Sequence, residues 1–242
     1  LSDGEYTITA SVSDRAGNPG SATHDVTLNG DVPTITINTF AQDDIVNAAE
    51  HGTPLVVSGT TDAPAGQTVT LTLNGKTYSA EVGANGAWSV KVPAADAQAL
   101  GDGTWTVNVS GKDAAGNTVS GSQTIGVDTA APAISVDTIA QDNIINAAEH
   151  NQPLTLTGKT DAEAGQVMTV TLNGKNHTAT VGSDGTWSVT LPASEVQAMA
   201  NGEHTLTANV SDKAGNGAST TADFTVDTAA PVVTINTVAG DD

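Results

Sequence analysis

The sequence predicts an all-β chain built of tandem β-sandwiches, and three observations carry this prediction. First, the chain repeats with a period of 99 residues, so that the run Asn-Ala-Ala-Glu-His at 47–51 returns at 146–150. Second, short segments alternate threonine with apolar residues, as half-buried strands do. Third, Asn-Gly and Asp-Gly dipeptides, which tight hairpins prefer, separate these segments. About seven strands within one such period indicate sandwiches of immunoglobulin type.

The repeats also set the domain organisation that we expect. Two full copies occupy residues 33–131 and 132–230. Residues 1–32 match the end of a repeat, and residues 231–242 match the start of one. A repeat of this length buries enough surface to fold alone. We therefore expect a segment of a longer protein in which immunoglobulin-like domains follow one another as an extended rod.

The elements of the first full repeat can be assigned in order. Alternation predicts strands over 34–37, 55–58, 68–73, 87–92, 104–109 and 123–127. Turns are predicted at 74–75, 85–86 and 115–117. The stretch 44–50 suits a short helical turn. Residues 93–100, with proline first and Gly101 after, predict a helix of one to two turns.

The tryptophans of the two full repeats are predicted to anchor the cores. Trp88 and Trp187 occupy equivalent strand positions and alternate with apolar residues. Carbohydrate stacking is the functional alternative for this pair. Trp105 is replaced by Tyr6 and His204 in the other copies, which indicates a partly exposed packing position rather than a binding platform.

Composition excludes several classes of function. A net charge of −20 argues against nucleic acid as a partner, since binding it requires a basic face. The absence of cysteine rules out disulfides and cysteine-type zinc sites. An all-β array without cysteine that is rich in Thr, Ala, Gly and Asn fits a bacterial surface protein. No apolar run approaches membrane-spanning length, so we expect no membrane insertion. The acidity itself is explained either by solubility or by cation binding.

Acidic residues in the predicted loops are the candidate cation ligands. In a seven-stranded sandwich, the first connection of one repeat meets the second and last connections of the next repeat. The ligands predicted at the junction of the full repeats, and their equivalents at the other junctions, are Asp43, Asp44, Glu50, Asp128, Asp161, Asp212, Asn29, Asp62, Asp113, Asp142, Glu149 and Asp227. Crowded carboxylates repel one another unless a cation neutralises them.

Calcium is the predicted ion, because it takes six to eight oxygen ligands in flexible geometry. Zinc is a weak candidate, since only His51 recurs, as His150. No contiguous EF-hand loop is present. The competing interpretation is that these acids only make turns and helix caps, which holds most readily for Asp113 and Asp212 before Ala-Gly-Asn.

Three motifs carry a resemblance to a known family. They are Asp-Thr-Ala-Ala-Pro at 128–132 and 227–231, Ile-Val-Asn-Ala-Ala-Glu at 45–50 with Ile-Ile-Asn-Ala-Ala-Glu at 144–149, and Asp-x-Ala-Gly-Asn at 14–18, 113–117 and 212–216. The chain resembles the bacterial Ig-like repeats of giant Gram-negative adhesins exported by type I secretion, the biofilm-associated and RTX-adhesin group. This resemblance implies an extracellular stalk at the bacterial cell surface, made rigid by calcium between repeats. Asn29 departs from the pattern, so its junction loses a charge and is expected to bind more weakly.

Three functions compete at this point. The first is a calcium-stiffened spacer that projects a distal adhesive domain for cell adhesion, biofilm formation or virulence. The second is a module that binds a host glycan, matrix or a neighbouring adhesin. Near-identical loops in both copies favour the spacer. An enzyme is not expected, because no catalytic trio, carboxylate cleft or phosphate loop stands out.

Overall fold

The computed structural model describes residues 1–235, which are mostly strands and turns. These residues fall into two compact units. One unit is Leu1–Thr129, and the other begins at Ala130. The first unit starts with a hairpin of β1 (Gly4–Ser13) and β2 (Pro19–Leu28), which is followed by a complete sandwich. The second unit contains one sandwich of the same topology.

The elements of the two sandwiches correspond closely. The first contains β3 (Ile45–Val46), α1 (Ala48–His51), β4 (Leu55–Thr60), β5 (Thr68–Leu73), β6 (Lys76–Glu81), β7 (Ala87–Val92), α2 (Ala94–Ala97), β8 (Gly103–Lys112) and β9 (Thr118–Val127). The second contains β10 (Ile134–Val136), β11 (Ile144–Asn146), β12 (Leu154–Thr160), β13 (Val167–Leu172), β14 (Lys175–Thr180), β15 (Thr186–Leu191), α3 (Ala193–Val196), β16 (Gly202–Ser211) and β17 (Gly217–Asp227).

Two sheets enclose the core of each repeat. In the first repeat the larger sheet has the order β3-β9-β8-β5-β6, and the smaller pairs β4 with β7. In the second repeat the orders are β11-β17-β16-β13-β14 and β10-β12-β15. The short strands β3 and β11 run parallel to the ends of β9 and β17, and the other pairings are antiparallel. This arrangement confirms the tandem immunoglobulin-like sandwich.

The buried tryptophans lie in the core, as predicted. Trp88 and Trp187 are each 2% exposed and belong to the apolar clusters of their repeats. Opposite Trp88 lies Gly59, where an added Cβ would stand 1.9 Å from the carbonyl oxygen of Thr36 and 2.6 Å from Trp88 Cζ2. The indole and the neighbouring backbone therefore fill the space that a side chain would need.

Three local predictions differ from the structure. The stretch 44–50 begins with strand β3, because Gly126 N donates to the Asp44 carbonyl at 2.8 Å, and it becomes helical only at Ala48. Strand β6 was missed, because its residues are mostly polar at a sheet edge. The predicted strand 34–37 is reduced in the first repeat to a single bridge, Ile35 to Thr61.

The remaining turns and the helix follow the sequence more closely. Asn74 and Gly75 both have positive φ (49° and 71°), as a tight hairpin turn requires. At 85–86 only Gly86 does, with φ of 78°. Helix α2 is shorter than predicted, since it ends at Ala97.

The position shared by Tyr6, Trp105 and His204 has one structural role. Tyr6 Oη donates to the carbonyl of Ser2 at 2.6 Å, and Trp105 Nε1 donates to that of Gly101 at 2.8 Å. His204 Nε2 makes the same bond at 2.8 Å to the residue four positions before it. Each of the three side chains is an aromatic ring that carries a polar hydrogen. The residue at the predicted packing position therefore also fixes the turn before it by a hydrogen bond.

No helix within residues 1–235 is long and apolar enough to cross a membrane.

Candidate cation site where the linker enters a repeat

The linker that follows the last strand of each repeat is hydrogen-bonded to an acceptor side chain. This side chain lies at the start of the strand before the last one. Asp102 Oδ1 accepts from N and Oγ1 of Thr129 at 3.0 and 2.8 Å. Asn201 Oδ1 makes the same two bonds to Thr228, at 3.2 and 2.8 Å. Asp3 Oδ1 accepts from Gly30 N at 3.0 Å. Sequence reasoning missed this tether, although Asp or Asn before glycine recurs at the repeat period.

A second acid holds the linker where it enters the next sandwich. Asp62 Oδ1 accepts from Thr34 N at 2.6 Å, and its Oδ2 accepts from Thr34 Oγ1 at 3.0 Å. Asp161 Oδ1 accepts from Ala133 N at 2.6 Å. Each amide lies directly after a proline, which has no N–H of its own to offer. These predicted ligands therefore position the linker backbone.

The Asp-x-Ala-Gly-Asn motifs form closed loops between the last two strands of each repeat. Asn117 donates to Asp113 through its backbone N (2.8 Å, to Oδ1) and its Nδ2 (2.9 Å, to Oδ2). Asp212 with Asn216 repeats both bonds at the same distances. The side-chain hydrogen bond from Asn117 is the main cause that lowers the pKa of Asp113 below its usual value. Asp113 and Asp212 therefore form the turns that their motif predicts, and their role as ligands stays a prediction.

Asn29 brings these parts together within the first unit. Its carbonyl accepts from Asn117 Nδ2 at 3.0 Å, and its own Nδ2 donates to Asp113 Oδ2 at 3.3 Å. Its Oδ1 accepts from Asp31 N at 3.0 Å. Asn29, Asp31, Asp62 and Asp113 line one surface pocket of about 240 Å³. Hard cations such as calcium prefer oxygen donors of this kind.

The expected loss of charge at the Asn29 junction is offset nearby. Asp31 lines the pocket at a position where the next junction has Ala130. The junction therefore moves a carboxylate by two residues rather than losing it. Sequence comparison of position 29 alone misses this shift.

The acids of the first connection have local partners. Asp43 and Asp142 accept from Ile45 N (3.0 Å) and Ile144 N (2.9 Å). Glu50 and Glu149 cap short turns, since each accepts from the backbone N three residues earlier, at 3.2 and 3.1 Å. Their assignment as cation ligands stays a prediction.

Asp44 has a structural role that needs no charge. Its Oδ1 accepts from Phe40 N at 2.7 Å, and in the second repeat Asn143 Oδ1 accepts from Ile139 N at 2.9 Å. A neutral amide thus replaces the carboxylate without altering the bond.

Two further predicted ligands lie at strand ends. The backbone N of Asp128 donates to the Val46 carbonyl at 3.0 Å, and Asp227 Oδ1 accepts from Ala229 N at 3.0 Å.

The repeated histidines are hydrogen-bonded to backbone carbonyls. His51 Nε2 donates to the carbonyl of Leu100 at 2.8 Å, and His150 Nε2 donates to the equivalent carbonyl of its own repeat at 3.1 Å. Among residues 1–235, no three histidine, aspartate or glutamate side chains form a group with metal-binding geometry.

Comparison with known families decides the identity of the repeats. The family model of the bacterial Ig-like domain matches residues 38–129 and, a second time, residues 135–228. The chain belongs to the bacterial Ig-like domain family. The resemblance to the tandem repeats of large bacterial adhesins is confirmed.

Two solved adhesin structures are similar to this chain. Over 94% of its length the chain is 36% identical to a Ca²⁺-stabilized adhesin that helps an Antarctic bacterium reach out and bind ice, with a TM-score of 0.52. It is 34% identical, over the same share and with a TM-score of 0.51, to a 1.5-MDa bacterial ice-binding adhesin. The chain spans 58% of the first structure and 76% of the second. No curated protein matches it.

Proposed function

We propose that this chain is a stalk segment of an extracellular adhesin at the bacterial surface, in which calcium bound between repeats stiffens the array. The observation that carries the proposal is that two loop acids recur in both full repeats where the linker enters, Asp62 with Asp113 and Asp161 with Asp212. The likeness to a Ca²⁺-stabilized adhesin supports calcium as the ion. Export by type I secretion and a part in biofilm formation and virulence belong to the same proposal.

The ligand set follows from the equivalence of the repeats. Asp161 and Asp212 occupy the positions of Asp62 and Asp113, and Asp128 occupies that of Asn29. At the junction between the two full repeats the third carboxylate therefore stands at position 128, whereas at the first junction it stands at Asp31. We expect these three carboxylates to repel one another when no cation is bound. A bound divalent cation removes this repulsion and ties two loops and the linker to one centre.

The hydrogen bonds at both ends of the linker explain how calcium binding would stiffen the array. Asp102 fixes the start of the linker at Thr129, and Asp161 fixes its end at Ala133. Only a short stretch between them is left to flex, and Pro132 restricts part of that. We therefore expect a single ion bound here to restrict the angle between the two domains.

Small-angle scattering with melting curves tests the proposal. In calcium the maximum dimension should grow and its distribution narrow relative to EDTA. Calcium should also raise the melting temperature, because a ligand at a hundredfold excess over its Kd stabilises the folded state by about 2.7 kcal/mol. Magnesium should raise it less than calcium does. Asp161→Ala with Asp212→Ala should remove both responses.

The matched control is Asp184→Ala with Asp223→Ala. It removes two carboxylates that accept from Thr186 and Thr205 in the same repeat, outside the predicted ligand set. This control should keep the full calcium response. Equal extension and equal melting in calcium and EDTA would refute the proposal, and the acids would then serve only solubility. A glycan screen of the same protein tests the competing binding-module function.

A further inference from the structure

We propose that the Asn29 junction is a cation-independent joint, closed by protein hydrogen bonds that take the place of calcium. The inference rests on the proposed function for the contrast with the other junctions, which we propose to be calcium-dependent. The chain would then combine a permanently closed joint with joints that respond to calcium.

The first step is that two of the three pocket acids, Asp62 and Asp113, already accept protein hydrogen bonds on both carboxylate oxygens. Asp113 accepts two bonds from Asn117 and a third from Asn29 Nδ2. Both oxygens of Asp62 are taken by Thr34, one by its N and one by its Oγ1. Each carboxylate is thus compensated by neutral amide and hydroxyl groups, which do what a cation would otherwise do.

The second step is that the Asn29 amide has one possible orientation. Its Oδ1 faces the N–H of Asp31, and its Nδ2 faces the carboxylate of Asp113. Turning the amide over would set two donors against each other and an oxygen against a carboxylate. An aspartate at position 29 keeps the bond to Asp31 but places a second negative charge against Asp113. That arrangement requires a cation.

The third step is that the other junctions have no counterpart of the Asn29 side-chain amide or of the Thr34 hydroxyl. Asn29 and Thr34 are replaced by Asp128 and Ala133 at the next junction. At the one after it they are replaced by Asp227 and Val232. The amide and the hydroxyl disappear together, and a carboxylate takes the place of the amide. Asp31 remains in the first pocket as an exposed carboxylate, which alone is a poor match for an ion that takes six to eight oxygens.

Hydrogen exchange of the linker amides in the whole chain tests this joint. Gly30, Asp31 and Thr34 all donate backbone N–H bonds inside it. In the parent protein their protection should be the same in EDTA and in calcium. Asn29→Asp with Thr34→Ala should speed their exchange in EDTA roughly ten- to hundredfold, the range for loss of a hydrogen bond to a charged group. Calcium should restore the protection.

Two further variants make the test specific. Asn29→Ala with Thr34→Ala removes the donors without adding charge, so exchange should accelerate and calcium should not restore it. Asp128→Asn with Ala133→Thr should make the linker at 129–133 insensitive to calcium. Strong protection of the parent's 30–34 amides only in calcium would overturn the proposal, as would unchanged exchange of Asn29→Asp with Thr34→Ala in EDTA.

The design separates this inference from the proposed function. Comparison of parent and variant in EDTA concerns the protein donors alone and involves no metal. The calcium response of the parent at 129–133 tests the stalk proposal. If that response is absent while the EDTA difference at 30–34 is present, the stalk proposal fails and the hydrogen-bonded joint stands.

Discussion

Replacement of Gly59 by alanine tests the central packing feature of the sandwich. The new Cβ would lie 1.9 Å from the carbonyl oxygen of Thr36 and 2.6 Å from Trp88 Cζ2, whereas ordinary contacts begin at 3.4 Å. Neither neighbour can rotate away, because one is backbone and the other is an indole buried to 2% exposure. The edge segment at 34–38 must therefore shift by more than an ångström.

The cost can be estimated from the contacts that this shift breaks. Thr36 N and Asn38 N each donate to the strand of Gly59 at 2.8 Å, and each such bond contributes about 1 kcal/mol. Overpacking of the core adds about 1–3 kcal/mol. The total, about 3–5 kcal/mol, is a large part of the stability of about 5–15 kcal/mol that is typical of a small domain. The melting temperature of the repeat should fall by more than about 10 °C.

Calorimetry of the whole chain contains its own reference. The second repeat keeps its equivalent glycine, Gly158, so its transition should stay in place while the first moves down. Gly101→Ala is the matched control, because a Cβ there meets nothing within 4 Å and its φ is not positive. It should change stability by less than about 1 kcal/mol. If Gly59→Ala melts like Gly101→Ala, the packing argument is wrong.

Two further predictions concern pH. Because the Asn117 side-chain bond lowers the pKa of folded Asp113, its contribution to stability is present above the unfolded pKa and is lost as pH falls through the folded one. Asp113→Asn should therefore flatten the acid limb of a urea-stability profile, and an unchanged limb contradicts this. Burial, followed by the Asp96 hydrogen bond and charge, raises the pKa of Tyr78 to about 12, so its stabilising effect is lost between about pH 10 and 12. Absorbance titration should show the raised pKa of Tyr78, and Asp96→Asn should lower that pKa. A Tyr78 that titrates with the ordinary pKa of tyrosine would refute the assigned hydrogen bond and burial.

The sequence predicts the strands well wherever one face is buried and the other is not. Alternation reveals such strands as β5 and β7, because a period of two residues places every second side chain in the core. Strand β6 shows no such signal, since it lies at a sheet edge and is largely exposed. The Asn74-Gly75 turn was its only indication, because a hairpin turn requires a strand on either side.

The candidate site is predictable in its placement and less so in its bonding. The loops that carry Asp62 and Asp113 share one end of the sandwich because of strand order, which the number and spacing of strands imply. The hydrogen bond from Asn29 to Asp113 joins residues that are 84 positions apart, and no local pattern encodes it. The linker tether at Asp102 was visible as a repeated dipeptide, but its partner at Thr129 follows only from the fold.

Equivalent positions in the repeats separate two roles for the acids, as a natural substitution experiment does. Asp44 becomes Asn143 and Asp102 becomes Asn201, and each amide oxygen keeps the carboxylate's hydrogen bond to the backbone, although the bond from Gln123 to Asp44 is lost because Ala222 takes the place of Gln123. At these sites the chain needs an acceptor and not a charge.

The loop position of Asp14, Asp113 and Asp212 keeps its carboxylate in all three copies, although an asparagine could accept the same backbone N–H. A retained charge is useful where a cation or a charge-assisted donor faces it. The loop's own asparagine side chain supplies one such donor in each copy, and at Asp113 the structure supplies a second donor in Asn29. The residue that corresponds to Asn29 before the second full repeat is Asp128, which has no side-chain amide, and calcium is the partner that we propose for the Asp212 loop. In our proposal the two kinds of joint use one loop, and the residue before the linker distinguishes them.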